Sequence, residues 1–111
     1  MIRGLGVDIE SVNNFKKAKL SDSFLKLIFT EDELRYCKKK KSPHISLAGK
    51  FCAKEAFIKA YPKQISMKDI EITNLKSGKI AVKVKGKINR KVHCSIAHSG
   101  DYALAFVIIE R

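Results

Sequence analysis

The 111-residue chain predicts a single α+β domain in which helices pack on an antiparallel sheet, and three observations carry that expectation. Its first half holds two strong helix-start signals. Its second half holds strand-like alternation, and clusters of turn residues separate the alternating stretches. No internal repeat and no linker rich in Gly, Pro or Ser divides the chain, so residues 1–111 are read as one cooperative unit.

Taken in order, Ile2 to Ile9 reads as an opening strand, and Val12 to Ile28 as one or two short helical stretches broken near Ser21 and Asp22. Thr30 followed three residues later by Glu33 is a capping box. Acids at Glu31, Asp32 and Glu33, with lysines from Lys38 to Lys41, suit the two ends of a helix dipole, so a helix is expected from Glu31 to Lys39. Ser42-Pro43 pairs a cap with a first-turn proline, and Gly49 is the one breaker before Ala60, so the longest helix is expected there. Beyond it, Asp69 to Leu75 and Lys79 to Ile88 read as strands joined by a turn at Asn74 to Gly78. The second places Ile80, Val82, Val84 and Ile88 on one face and Lys79, Lys83, Lys85 and Lys87 on the other. Val92 to Ala97 and Tyr102 to Ile109 form the last pair, joined through His98-Ser99-Gly100-Asp101.

Apolar residues make up 45% of the chain and charged residues 31%, which suits a globular protein and excludes a disordered one. No apolar run approaches the roughly 20 residues of a membrane span, and no basic leader precedes an apolar segment. A cytoplasmic protein without membrane contact is expected. Cys37, Cys52 and Cys94 are odd in number and form no CxxC pair, so they read as reduced thiols rather than a disulfide framework or zinc site. The net charge of +12 attracts phosphates, nucleic acid or an acidic protein without choosing among them.

Three constellations carry chemistry. Asp8 and Glu10 flank Ile9, and residues two apart on a strand share a face, so two carboxylates converge where a hard cation such as magnesium would accept oxygen ligands. Glu55 and Lys59 are four apart on the long helix, in an arc shared with Ala48 and Cys52, and charges facing a packed side need a partner or a task. Ser95 and His98 lie near the exit of a strand into a tight turn, where hydroxyl and imidazole can meet a ligand. There is no nucleophile elbow, no P-loop and no dinucleotide glycine fingerprint, so serine-hydrolase and nucleotide-hydrolase readings have no support.

Together these pieces resemble the holo-acyl-carrier-protein synthase family of phosphopantetheinyl transferases. The resemblance rests on Gly4 to Glu10, on Ile28-Phe29-Thr30 with Glu33-Leu34 and Tyr36-Cys37, on Leu47 to Ala56, and on Ser95 to His98 followed by Tyr102-Ala103. It implies a 4'-phosphopantetheinyl transferase-like fold and transfer of the phosphopantetheine arm of coenzyme A onto a serine of apo acyl carrier protein, for fatty acid synthesis. By position it implies that Asp8 and Glu55 hold Mg2+, with Glu10 as a further candidate ligand. Asp8, Glu55 and Lys59 would then be catalytic, and Lys54, Lys59, Ser95 and His98 would bind the coenzyme. It further implies a homotrimer with sites between chains and a strongly acidic carrier protein as partner; toward such a partner Lys16, Lys17 and Lys19 around Phe15 read as a docking surface anchored by Phe15, or else as a solvated lysine face with Phe15 in the core. Two departures stand out: Tyr61-Pro62-Lys63-Gln64 replaces a Gly-Thr-Gly loop, and Ala97 replaces a serine. The rival readings are a basic nucleic-acid-binding module and a non-catalytic interaction domain; the chain lacks a recognised nucleic-acid motif or aromatic stacking platform.

Overall fold

Gly4 and Gly6 set the packing of the molecule, because a β-carbon at either would collide with the carbonyl oxygen of Ala60 or Ala56. The strand that carries them can therefore lie directly on the backbone of the longest helix. In the computed structural model, which describes residues 1–17 and 22–111, this strand is β1 (Ile2–Ser11) and the helix is α3 (Pro43–Ala60). Between them come a short 3-10 turn at Val12–Phe15, then α1 (Ser23–Ile28) and α2 (Glu31–Lys38). After α3 follow a 3-10 turn at Met67–Asp69 and the strands β2 (Ile70–Asn74), β3 (Ile80–Val84), β4 (Lys87–Ile88), β5 (Val92–Ser99) and β6 (Tyr102–Glu110).

The α+β expectation holds, with one difference in the sheet. The strands form two antiparallel three-stranded sheets, in the orders β1-β6-β5 and β2-β3-β4. The expected strand from Lys79 to Ile88 breaks at Lys85-Gly86, where both residues take positive φ, 50° and 85°, and turn the chain back as β4. Ile88, expected to share one strand face with Ile80, Val82 and Val84, instead lies exposed on β4. The helical stretch expected from Val12 to Ile28 is, among the described residues, a 3-10 turn and a six-residue helix; the break expected at Ser21 lies outside the described residues.

α3 is buried on most of its circumference. Leu47, Ala48, Cys52, Ala53, Ala56 and Phe57 form the centre of the core, and Ala103, Ala105 and Val107 of β6 offer them a surface of mostly small side chains. Ser42 makes no side-chain cap, so Pro43 at the first turn is the part of the expected start signal that operates. The capping box on α2 forms as expected: Glu33 N donates to Thr30 Oγ1 at 3.2 Å, and Thr30 N donates to Glu33 Oε1 at 2.9 Å. Glu33 does more than cap. It is buried, accepts from Ile72 N through Oε2 at 2.7 Å, and pairs with Lys54 at 2.5 Å, so one carboxylate ties α2 to β2 and α3.

Candidate active site

The close approach of β1 to α3 brings Asp8 and Glu10 against Glu55 and Lys59. Lys59 Nζ donates to Val7 O at 2.9 Å and stands 3.4 Å from Asp8 Oδ1. Asp8 is nearly enclosed, its side chain 12% exposed, and its Oδ2 is buried with no hydrogen bond. Such an atom calls for a ligand. The carboxyl of Glu55 is held above the usual carboxylate range by partial burial and then by the charge of Asp8. Glu10 is raised by burial and then by Asp8, against a hydrogen bond from Asn14 that favours ionisation. Three carboxyl groups therefore crowd one another around one orphaned oxygen, an arrangement that a divalent cation relieves. Among the described residues no group of three His, Cys, Asp or Glu side chains is placed to hold a metal ion, so a cation here would take no more than two of these carboxylates and complete its shell with water or substrate oxygens.

Cys52 lies beneath this site. Its thiol donates to Ala103 O at 3.3 Å, and burial, then the charges of Asp8 and Glu10, push it up to about 12. It is an inert structural thiol.

Glu55 and Lys59 do not project into the packed stripe as their arc with Ala48 and Cys52 suggests. Cys52 is buried, Glu55 half-buried and Lys59 exposed, because the arc rolls from the core to the edge of β1. The charges on the packed side are Lys50 and Lys54. Lys54 cannot serve as a coenzyme ligand in this fold: its ammonium is fully buried, paired with Glu33, and donates to Ile28 O at 2.7 Å and Met67 O at 2.9 Å.

His98 and Ser95, three apart on β5, point to opposite faces of the sheet. His98 shares the α3 side with Glu10, and the two stand in line across Ala103 of β6. They are two strands, about 10 Å, apart within one chain. The imidazole lies against Gly49, with Nε2 3.2 Å from Ile45 O. A cavity of about 260 Å³ opens beside it, walled also by Tyr36, Ser46, Lys50 and Asn74. Lys50 is buried there, donating to Ile72 O at 2.6 Å and Asn74 Oδ1 at 3.0 Å, with its ammonium 4.4 Å from the Tyr36 ring centre. Sequence reading assigned no task to Tyr36 or Lys50, although both stand in the segments that carry the family resemblance. Ser95 is exposed on the outer face of the sheet.

Phe15 is a core residue rather than a docking anchor. It is 6% exposed and packs on Phe51 and Phe29, with ring centres 5.4 and 6.3 Å apart. Lys16 and Lys17 are exposed beside it, and Lys19 lies outside the described residues. The exposed aromatic of this region is Phe24 of α1, with Leu27 one turn on and Lys26 between them. The i, i+3 spacing of Phe24 and Leu27 was available in the sequence.

Comparison of the backbone sets the class of the protein. A holo-[acyl-carrier-protein] synthase from Neisseria meningitidis superposes with a TM-score of 0.84 at 32% identity, covering 100% of both chains. A Bacillus anthracis holo-(acyl-carrier-protein) synthase in complex with CoA (3',5'-ADP) superposes with a TM-score of 0.81 at 35% identity, covering 98% of this chain and 96% of that one. In sequence, a holo-[acyl-carrier-protein] synthase of Thermodesulfovibrio yellowstonii is 43% identical, over 98% of this chain and 99% of its own. The chain belongs to the 4'-phosphopantetheinyl transferase superfamily, whose family model matches residues 4–107.

Proposed function

We propose that this protein is a holo-[acyl-carrier-protein] synthase, transferring 4'-phosphopantetheine from coenzyme A to a serine of apo acyl carrier protein. The observation that carries this reading is the buried, unpartnered Oδ2 of Asp8 among Glu10, Glu55 and Lys59, in a chain of this superfamily. The serine hydroxyl attacks the phosphorus that bears the pantetheine. Its bond to the bridging pyrophosphate oxygen breaks, adenosine 3',5'-bisphosphate leaves with the electron pair, and the hydroxyl proton passes to a base. Asp8 and Glu55 would hold Mg2+, with Glu10 beside them, and the ion would neutralise charge on the pyrophosphate. Lys59, exposed and anchored on Val7 O, keeps donors free for a phosphate oxygen. The cavity at His98, with the Lys50 cation in its wall, suits the nucleotide end. The three cysteines, which form no disulfide, suit work in the reducing cytoplasm, and fatty acid synthesis is the consumer we assign to the product. The test is transfer from coenzyme A onto apo acyl carrier protein with and without magnesium. Mass gain on the carrier that depends on the metal is expected; no gain at any magnesium concentration overturns the reading.

The outer face of the β1-β6-β5 sheet supports a homotrimer with shared sites. Leu5, Val7 and Ile9 of β1 lie beside Ile108, Phe106 and Leu104 of β6 in register, and five of these six are large exposed hydrophobics. Such a continuous patch is unusual on a monomer. A cleft lined by Val7, Asp8, Ile9, Lys59 and Leu104 joins the carboxylate site to that face, so a neighbouring chain on the face borders the site. Its His98 can then reach the coenzyme held at Asp8 and Glu55. Mixing an inactive Asp8→Ala chain with an inactive His98→Ala chain is expected to restore part of the activity, since some sites receive both intact groups. No recovery in verified mixed oligomers would show that each chain is self-contained.

For the carrier protein, α1 replaces Phe15 as the docking element. Phe24 and Leu27, 64% and 72% exposed, supply apolar anchors with Lys26 between them on the helix, and the exposed Lys16 and Lys17 precede the helix in the chain. Charge reversal at Lys16 and Lys26 is expected to slow association with an acidic carrier by about tenfold or more at low salt and to flatten its salt dependence. Coenzyme affinity should stay unchanged. Equal losses toward both substrates would count against this docking face.

A further inference from the structure

A groove of about 440 Å³ lies between the free edge of β5, from Val92 to Ile96, and the β2–β3 turn at Gly78 to Ile80. β5 ends its sheet, and the ladder shows which of its backbone groups are spare. Val12 N donates to Asp101 O where β1 meets β6, and Glu110 N donates to Lys91 O where β6 meets β5. Alternation along β6 then turns the odd-numbered residues of β5 toward β6 and the even-numbered ones away from it. Val92 N is taken by Asn89 O at 3.2 Å. Among the described residues, none hydrogen-bonds the outward N–H and C=O of Cys94 or Ile96, so these four groups face the groove.

The surroundings are basic. From Ile72 to Gly100 the chain holds seven lysines and arginines, no aspartate or glutamate, and no phenylalanine, tyrosine or tryptophan. Lys79 lines the groove, Lys76 stands in the turn that Gly78 N closes on Leu75 O at 2.9 Å, and Arg90 and Lys91 lead into β5. All four are exposed. The neighbouring acid, Glu110, is bound to His93 Nε2 at 2.6 Å. Open backbone donors and acceptors match an extended polypeptide, which adds as a strand over the roughly 17 Å that five residues span. The charge calls for an acidic one. Without an aromatic platform the surface is poorly made for single-stranded nucleic acid, and a second copy of this chain, at +12, brings like charge to the edge. The apolar patch assigned above to chain association lies on β1 and β6, whereas β5 offers that face only His93, Ser95, Ala97 and Ser99. We propose that the β5 edge docks an extended acidic segment of a partner protein, which pairs with Cys94 and Ile96 while its carboxylates meet Lys76, Lys79 and Lys91. This surface lies outside the transfer chemistry and does not depend on it.

Fluorescence anisotropy of a labelled peptide of alternating glutamate and valine, titrated with the full chain at low salt, tests the assignment. The same peptide N-methylated along its backbone keeps the charge and loses the donors, and it is expected to bind about tenfold more weakly or worse. Lys79→Glu combined with Lys91→Glu is expected to raise the Kd of the unmethylated peptide about tenfold or more. Hydrogen exchange at the Cys94 and Ile96 amides should slow when the peptide is saturating. Absence of peptide binding overturns the assignment outright. Equal binding of the two peptides, or exchange that the peptide leaves unchanged, would reduce the surface to diffuse charge and overturn it as well. Amides already protected in the free chain would show a second copy seated on the edge, with the same consequence. Tighter binding of an oligothymidylate of equal charge, or displacement of the peptide by adenosine 3',5'-bisphosphate, would instead give the groove to nucleic acid or to the nucleotide of coenzyme A and likewise overturn it.

Discussion

Asp8→Asn is expected to lower transfer by about 10²–10³-fold or more while leaving the melting temperature unchanged or raised. The activity is lost because the orphaned Oδ2 becomes an amide, which cannot serve as an anionic oxygen ligand. Stability moves the other way because the wild-type carboxylates repel one another. Glu10 and Glu55 are both held above their ordinary range, by burial first and the Asp8 charge next. A carboxyl whose folded pKa is raised favours folding below its unfolded pKa and loses that contribution as pH rises through the folded value. Removing the Asp8 charge therefore helps most at neutral pH, where Glu10 and Glu55 are ionised, and least in acid, where they are protonated. The lost Lys59 contact offsets little, since that lysine is exposed and 3.4 Å away. Glu55→Gln should behave alike. Melting curves at neutral and acidic pH, beside single-turnover transfer, check both halves. Near-wild-type transfer in either variant would remove the metal assignment, and a melting temperature that falls at neutral pH would remove the repulsion.

The site was legible where spacing alone fixes geometry. Asp8 and Glu10 share a strand face, and Glu55 and Lys59 share a helix arc; those relations need no knowledge of distant parts of the chain. The family resemblance came from the same segments. What sequence could not supply was the far side of each element. Phe15 beside lysines reads equally as a surface anchor or as the core edge of a solvated stretch, and the aromatic rings of Phe29 and Phe51, distant in sequence, decide it. Lys54 stands next to Glu55 in the helix, yet about 100° of rotation sends one ammonium into the core and leaves the carboxylate at the site. The division of the expected strand into β3 and β4 followed from a tight turn at Lys85-Gly86, where unbroken alternation from Ile80 to Ile88 concealed the reversal.

Lys54→Met is expected to destabilise the fold by about 3–5 kcal/mol, a large part of the roughly 5–15 kcal/mol available to a domain. The cause is what the substitution leaves behind. Glu33 stays buried, already pushed upward by burial against the pull of Lys54 and of the Ile72 and Thr30 N–H groups, and loses its counter-charge. The carbonyls of Ile28 and Met67 lose their donor in the same step, so α1 and the turn before β2 are both released from α3. Removing both charges, as in Glu33→Leu with Lys54→Met, should recover much of the loss, because two apolar groups of suitable volume tolerate burial that one unpaired charge does not. Chemical denaturation of the two single variants and the double gives the coupling directly. A coenzyme ligand would behave otherwise: Lys54→Met would keep its midpoint and raise the KM for coenzyme A, and that result would return Lys54 to the binding site.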